Sequence, residues 1–156
     1  MKFPFSYQTE NSDCGPTCLK MVAEYHGQRH ELAILKKKFN IKKAGVSMLD
    51  IKRAAKAIGF HCRGVKMEIK DLEKIVRHIP VILHWNEHHF IVVYKITRSG
   101  SVRNYQVADP AKGLIKMKKE MLKQSWIKKL STKKEKQSLG YALLIEPTAK
   151  LAKPVS

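Results

Sequence analysis

The spacing of apolar residues changes along the chain, from helical in the first third to strand-like in most of the remainder. Apolar side chains recur at helical spacing from Cys14 to His26, behind the cap-type residue Asp13 and ahead of the stop signal Gly27. A first helix is therefore predicted there. Two more are predicted, one from Glu31 to Lys38 and one through Ile58 with Ser47 as its N-cap.

The later part of the chain is rich in β-branched residues and is interrupted by turn signals, as is typical of strands. The predicted strands are Phe60–Met67, Pro80–Trp85, His89–Thr97, Asn104–Ala108, Leu114–Lys118 and Tyr141–Ile145. Short helices are predicted at Ile69–Arg77 and Glu120–Trp126, and a loop from Lys128 to Ser138. Helices first, then hairpin-linked strands, predict an α+β fold.

A length of 156 residues fits one domain, which we place at residues 1–147, with a linker or frayed tail at 148–156. No apolar run approaches the ~20 residues that span a membrane. The first five residues lack the apolar stretch of a signal peptide. The sequence therefore predicts a soluble, cytosolic domain whose three cysteines are reduced thiols.

The formal net charge of +18 is concentrated in a stretch with ten lysines between Lys112 and Lys136. Such a surface attracts anions such as nucleic acid, anionic lipid or acidic peptides, and it is equally consistent with a solvated face. Trp126 is the one aromatic residue in the stretch, and no nucleic-acid-binding motif occurs there. We therefore expect no nucleic-acid partner.

Cys14 lies at the predicted start of the first helix, in the segment Asp13-Cys14-Gly15-Pro16. A helix N-terminus stabilises a thiolate, which is the nucleophilic form of cysteine. We expect Gly15 to leave room for the backbone of a substrate. Free cysteines are more commonly buried and inert, and we assign that structural role to Cys18 and Cys62.

A cysteine nucleophile needs a neighbouring histidine as base. His84, His88 and His89 are the candidates among the seven histidines, and only one of His88 and His89 can serve if both are in extended chain. The same cluster together with Glu87 is a weaker candidate for a metal site, because the segment is predicted to be a hairpin and not a helix.

Two further polar residues fit a catalytic arrangement with Cys14. Asp109 ends a predicted strand beside that of His89, where a carboxylate would orient a histidine, although Asp-Pro is also an ordinary turn dipeptide. Gln8 precedes Cys14 by six residues, and its side-chain N–H would stabilise an oxyanion.

The chain resembles peptidase family C39, the cysteine protease domain of bacteriocin-processing ABC transporters. The resemblance runs from about Phe5 to Pro147. It is carried by Gln8, Asp13-Cys14-Gly15, Tyr25-His26-Gly27, Gly45-Val46-Ser47, His89-Phe90-Ile91-Val92-Val93 and Ala108-Asp109-Pro110. It implies a papain-like α+β fold with N-terminal helices packed on a central antiparallel sheet. It also implies Cys14 as nucleophile, His89 as base, Asp109 as the orienting group and Gln8 as oxyanion donor.

The substrate implied by the resemblance is a bacteriocin or lantibiotic precursor peptide, cut after a Gly-Gly or Gly-Ala pair at the end of its leader. Leaders in this family dock as amphipathic helices, for which Met48, Leu49, Ile51 and Lys52 are candidate contacts. The family usually continues into membrane and ATPase domains, so we interpret the chain as a peptidase domain of an exporter, a monomer in isolation. No phosphate-binding glycine loop occurs, and no cofactor is expected. A catalytically silent substrate-binding domain is the alternative, although such relatives lose the cysteine.

Overall fold

The α+β prediction is confirmed by the computed structural model, which describes residues 2–39, 45–129 and 138–148. The helices are α1 Cys14–Tyr25, α2 Leu32–Lys36, α3 Met48–Ala57, α4 Ile69–Val76 and α5 Lys119–Trp126. The strands are β1 Phe60–Met67, β2 Val81–Trp85, β3 His89–Ser99, β4 Val102–Asp109, β5 Gly113–Lys118, β6 Lys128–Lys129 and β7 Ser138–Pro147. A 3-10 turn at Asn11–Asp13 leads directly into α1.

The strands form an antiparallel sheet in the order β1-β7-β2-β3-β4-β5, and the short β6 pairs with the beginning of β7. Strands β2 to β5 are joined in sequence order, as hairpins. The last strand, β7, pairs with both β1 and β2, so it connects parts of the sheet that are far from it in the chain.

Helices cover both faces of this sheet. Phe90 and Val92 of β3 belong to the apolar cluster that includes α1 and α3. Ile91 and Val93 of the same strand belong to the cluster that includes α4 and α5. All four are at most 2% exposed, which explains why this strand is a continuous apolar run without polar alternation.

The predicted elements agree with the observed ones to within a few residues, except near the C-terminus. Residues 128 and 129 form β6, and β7 begins at Ser138, so the predicted loop is shorter than expected at both ends. Its centre, 130–137, and the predicted tail from 149 onward lie outside the described residues. Among the helices described, none is long and apolar enough to cross a membrane.

The α5 helix is anchored to β7 by Trp126, which is 1% exposed. Its indole N–H donates to the carbonyl of Tyr141 at 2.9 Å. The indole ring lies directly over Gly140, where an added Cβ would come within 2.2 Å of the ring carbon Cε2. A glycine is therefore required at this position for the helix to pack against the sheet.

Replacing Gly140 with alanine should lower the free energy of unfolding by about 1–3 kcal/mol, because the Cβ overpacks a buried contact. Gly64→Ala is a matched control in the adjacent sheet region, since its Cβ would meet the nearest atom at 3.7 Å, an ordinary contact. Urea denaturation of both variants measures the difference. Equal stabilities would contradict the packing assigned to Trp126.

Candidate active site

Cys14 is the first residue of α1, as predicted, and it belongs to the apolar cluster that includes Phe90 and Val92 of β3. The residue is 4% exposed. Its Sγ atom lies 3.9 Å from the carbonyl oxygen of His88, in the loop before β3. The thiol is thus held at the positive end of a helix dipole and against the β2–β3 turn.

His89 is the first residue of β3 and Asp109 is the last of β4, its antiparallel neighbour. Their side chains meet at the same end of the sheet, with 2.7 Å between Nε2 of His89 and Oδ1 of Asp109. The backbone N–H of Ala111 also donates to Oδ1 at 2.9 Å. Asp109 is 3% exposed, so it is a buried carboxylate with two partners.

The ring of His89 interacts with both Asp109 and Cys14. Because Nε2 faces Asp109, the other ring nitrogen, Nδ1, remains for the thiol. Burial lowers the pKa of His89, but hydrogen bonds and charge interactions with Asp109 and Cys14 outweigh it and raise the pKa to about 9. For Asp109 the effects have the opposite signs. Burial raises its pKa, but the hydrogen bonds from His89 and Ala111 outweigh burial and bring the pKa below its usual value. A charged imidazole is therefore favoured at neutral pH.

Gln8 is fixed to the loop that follows Asp109. Its backbone N–H donates to the carbonyl of Pro110 at 2.9 Å, which aligns the N-terminal segment with that loop. The side-chain Oε1 is buried and has no hydrogen-bond partner among the described residues. A buried amide without a partner costs free energy, so packing alone does not account for a glutamine here.

Of the other sequence candidates, neither histidine of the β2–β3 turn region joins this arrangement. Nε2 of His84 is 2.9 Å from the carbonyl oxygen of Glu87, and His88 contributes its carbonyl, not its ring, to the surroundings of Cys14. The described part of the chain holds no group of three metal-ligating side chains. Cys18 is fully buried one turn behind Cys14, and burial raises its pKa well above the usual value.

The structure gives a further reason for a glycine at position 15. An added Cβ would overlap Cγ2 of Val46 and come within 3.2 Å of Cδ1 of Ile51. The glycine therefore allows the segment before α3 to approach the N-terminus of α1. It shapes the site through packing.

Asp13 occupies the N-cap position of α1, as predicted, but its side chain makes no capping hydrogen bond to the helix. Its Oδ2 accepts from the Thr9 hydroxyl at 2.5 Å and from the Glu10 N–H at 3.1 Å, and so closes the turn before the helix. Nζ of Lys36, on α2, lies 3.0 Å from its other oxygen. Burial raises the pKa of Asp13, but the bonds from Thr9 and Lys36 outweigh burial and lower it.

Sequence reasoning missed Lys36 altogether, because nothing in the sequence separates it from the other 30 basic residues. The pair matters because Asp13 is fully buried and directly precedes Cys14. It ties α2 to the turn between Gln8 and Cys14. The two side chains predicted to act on one substrate carbonyl are thus held by a single buried carboxylate.

Lys36→Gln should lower the free energy of unfolding by about 1–3 kcal/mol at neutral pH, because it leaves a buried carboxylate without its cation. The lowered pKa of Asp13 means that this stability is present above its ordinary value of 3.8 and is lost as the pH falls further. The deficit should therefore shrink toward pH 3. Lys37→Gln, an exposed neighbour, is the control, and equal losses in denaturant titrations at pH 7 would contradict the pairing.

A cavity of about 610 Å³ opens beside the catalytic candidates. One wall is the segment 45–50, which includes Val46 against Gly15, and another is the β2–β3 turn with His88. Arg53, His84, Glu87 and Phe90 complete its lining. The cavity thus meets the two backbone segments that contact the helix N-terminus, at Val46 and at His88.

Comparison with known proteins identifies the class. A helix beginning at a cysteine, beside a His–Asp pair on neighbouring strands, is the arrangement of papain-like cysteine peptidases. A family model described as the peptidase C39 family matches residues 2–138, and the chain belongs to this family.

Among its relatives is the colicin V secretion/processing ATP-binding protein CvaB of Escherichia coli, 33% identical over 113 residues, which are 72% of this chain and 15% of that protein. An uncharacterized protein of Methanothermobacter thermautotrophicus is 32% identical over 73% of this chain and 76% of its own length. The chain thus spans about 15% of the length of the colicin V secretion/processing protein.

Solved structures agree with this assignment. A double glycine motif protease from an AMS/PCAT transporter, in complex with the leader peptide, aligns with a TM-score of 0.74 at 27% identity and covers 94% of this chain and 93% of its own. The peptidase domain of Streptococcus ComA, a bi-functional ABC transporter, aligns with a TM-score of 0.77 at 25% identity, over 94% of this chain and 100% of its own. The papain-like fold is therefore confirmed.

Asp109→Asn should lower the pKa of His89 from about 9, because it removes one of the two groups, Asp109 and Cys14, that raise this pKa against the effect of burial. A folded-state pKa above the unfolded one stabilises the fold below about pH 6.5, and this stability is lost as the pH rises toward 9. In the variant, the free energy of unfolding should fall less between about pH 6.5 and pH 9. NMR titration of the imidazole measures the shift, and Glu120→Gln removes one exposed charge as a control. A pKa that stays near 9 would show that Asp109 does not set it.

Proposed function

We propose that this chain is a cysteine endopeptidase that removes the leader from bacteriocin- or lantibiotic-type precursor peptides, cutting after Gly-Gly or Gly-Ala. The single observation that carries the proposal is the contact series from Cys14 through the ring of His89 to Asp109, with 2.7 Å between the last two. The family membership and the leader-bound neighbour support it.

In this proposal Nδ1 of His89 carries the proton taken from the Cys14 thiol, which leaves the imidazole charged. Sγ then attacks the carbonyl carbon of the last residue of the leader. The Gln8 amide donates to the resulting oxyanion. The imidazolium then protonates the departing amine, which releases the core peptide and leaves a thioester on Cys14. Water, deprotonated by His89, hydrolyses the thioester and restores the thiol.

Asp109 holds the imidazole with Nε2 toward itself throughout this cycle and stabilises its charged form. The raised pKa of His89 favours the imidazolium that the departing amine requires. Cys14 and Asp109 are each less than 5% exposed. Because little water screens them, the electrostatic interaction between Asp109 and the charged imidazole is stronger than it would be at the surface.

The leader would occupy the cavity beside α3. Met48 and Leu49 line this cavity, and Leu49 is 51% exposed, so both remain candidates to contact an apolar leader face. Ile51 is fully buried and belongs to the core, which removes it from the predicted groove. Two glycines before the cut would pass between walls too close for a Cβ, which rejects larger residues sterically.

We further propose that the domain works on the cytosolic side of a membrane, as the peptidase part of an ABC exporter. The support is its 33% identity with part of a secretion/processing ATP-binding protein. In this arrangement the domains that continue the chain would carry the released core peptide across the membrane.

Incubation with a precursor peptide bearing a Gly-Gly leader, followed by mass spectrometry, tests the activity. Wild type should release the core peptide, Cys14→Ala should release none, and Gln8→Ala should be slower by about 10²–10³ in kcat. Intact precursor with the wild type would favour the alternative, a silent domain that only binds transport substrates. A ligated product instead of a hydrolysed one would indicate acyl transfer by the same residues.

Cys18→Ala is the matched control, since it removes a thiol one turn along the same helix. It should retain most of the activity and lose some stability, because Cys18 is fully buried in the core. Loss of activity with the fold intact, seen by circular dichroism, would mean that the nucleophile was misassigned.

A further inference from the structure

A second cavity, of about 320 Å³, lies at the end of α1 and β3 opposite to the catalytic residues. Tyr25 ends α1, whose first residue is Cys14, and the stretch from Tyr94 to Arg98 lies beyond the middle of β3, whose first residue is His89. A helix of 12 residues spans roughly 18 Å, so the two cavities are well separated. No part of the proposed peptidase cycle uses the second one.

The lining of this cavity is strongly cationic. Four basic side chains, Arg77, Lys95, Arg98 and Arg103, border it against one carboxylate, Glu73. Within the described residues, Arg77, Lys95 and Arg98 have no acidic partner. Like charges drawn together from α4, β3 and β4 repel one another, and a bound anion would relieve that repulsion.

One of these cations is held in a fixed orientation. Arg103 donates to Oε2 of Glu73 through Nη1, and Glu73 is fixed in turn by the hydroxyl of Tyr105 at 2.5 Å from its other oxygen. Tyr105 is fully buried. The single acidic group of the cavity is therefore already engaged, and the guanidinium beside it is prearranged.

Two tyrosines, Tyr25 and Tyr94, also line the cavity beside Val76 and Ile96, and they add hydroxyl groups. The ring of Phe3 stacks on Tyr94 with centroids 4.5 Å apart and also contacts Tyr25 at 6.1 Å, so both rings are held in place. Their faces are thereby partly occupied, which favours an anion over a stacked aromatic ligand.

We propose that this cavity is a binding site for a phosphate group. Guanidinium groups match the oxygens of phosphate with paired hydrogen bonds, and a dianion balances the surplus of cations better than a carboxylate does. The concave cavity has room for a free phosphate or for the larger phosphomonoesters. A lipid headgroup carries the same chemistry, and the test separates the two sources.

The test measures binding of inorganic phosphate to the wild-type chain by NMR titration, with chloride keeping the ionic strength constant. Arg77→Gln/Arg98→Gln should raise the apparent Kd by roughly tenfold or more, because each charge-assisted hydrogen bond contributes substantially. Arg63→Gln/Lys116→Gln removes two exposed charges elsewhere and should leave the Kd unchanged. Neither pair of residues belongs to the proposed catalytic machinery.

A second arm measures sedimentation with phosphatidylglycerol vesicles, against phosphatidylcholine vesicles. Phosphate binding without vesicle binding identifies a free anion, and cavity-dependent binding of both identifies a headgroup. The proposal fails if wild type does not bind phosphate, or if the two double variants weaken binding equally. Unfolding temperatures of the free variants, expected to match wild type, show that the fold is intact.

Discussion

The antiparallel pairing of β3 with β4 is the constraint on which the rest of the site depends. It brings the first residue of one strand and the last of the other to the same end of the sheet, where His89 and Asp109 meet at 2.7 Å. Apolar residues of both strands belong to the clusters on the two faces of the sheet, so a change of register would disrupt the packing of the helices against it. The distance between base and carboxylate is therefore fixed by the core.

The cysteine is brought to this pair by a different kind of contact. The α1 helix packs on the face of β3 that carries Phe90 and Val92, and Gly15 lets the segment before α3 approach the helix N-terminus. The buried carboxylate of Asp13 then fixes the turn before Cys14, with help from Lys36. Sheet register positions two of the candidate residues, and helix packing with one buried ion pair positions the third.

Most of the secondary structure could be predicted from the sequence, because it depends on local pattern. The sequence also selected Cys14, His89 and Asp109 as candidates, and the structure brings these three together. Apolar spacing located α1 and α3, and β-branched runs located β2 and β3. What could not be predicted depends on contacts between distant segments. Three such contacts depend on how α1, α2 and α3 pack together. They are the pairing of Asp13 with Lys36, the close approach of Val46 to Gly15, and the burial of Ile51.

The excess of positive charge has more than one physical basis. The two edge strands, β1 and β5, carry exposed basic residues, among them Arg63, Lys66, Lys116 and Lys118. Charges on an exposed edge prevent pairing with another chain, and this needs no ligand. The second cavity differs, because its cations converge from separate elements around a concave surface and one of them is fixed by a buried tyrosine through Glu73. Protection of a sheet edge does not require basic residues to converge. The arrangement of the cations therefore distinguishes an anion-binding site from a protected edge, and the number of cations alone does not.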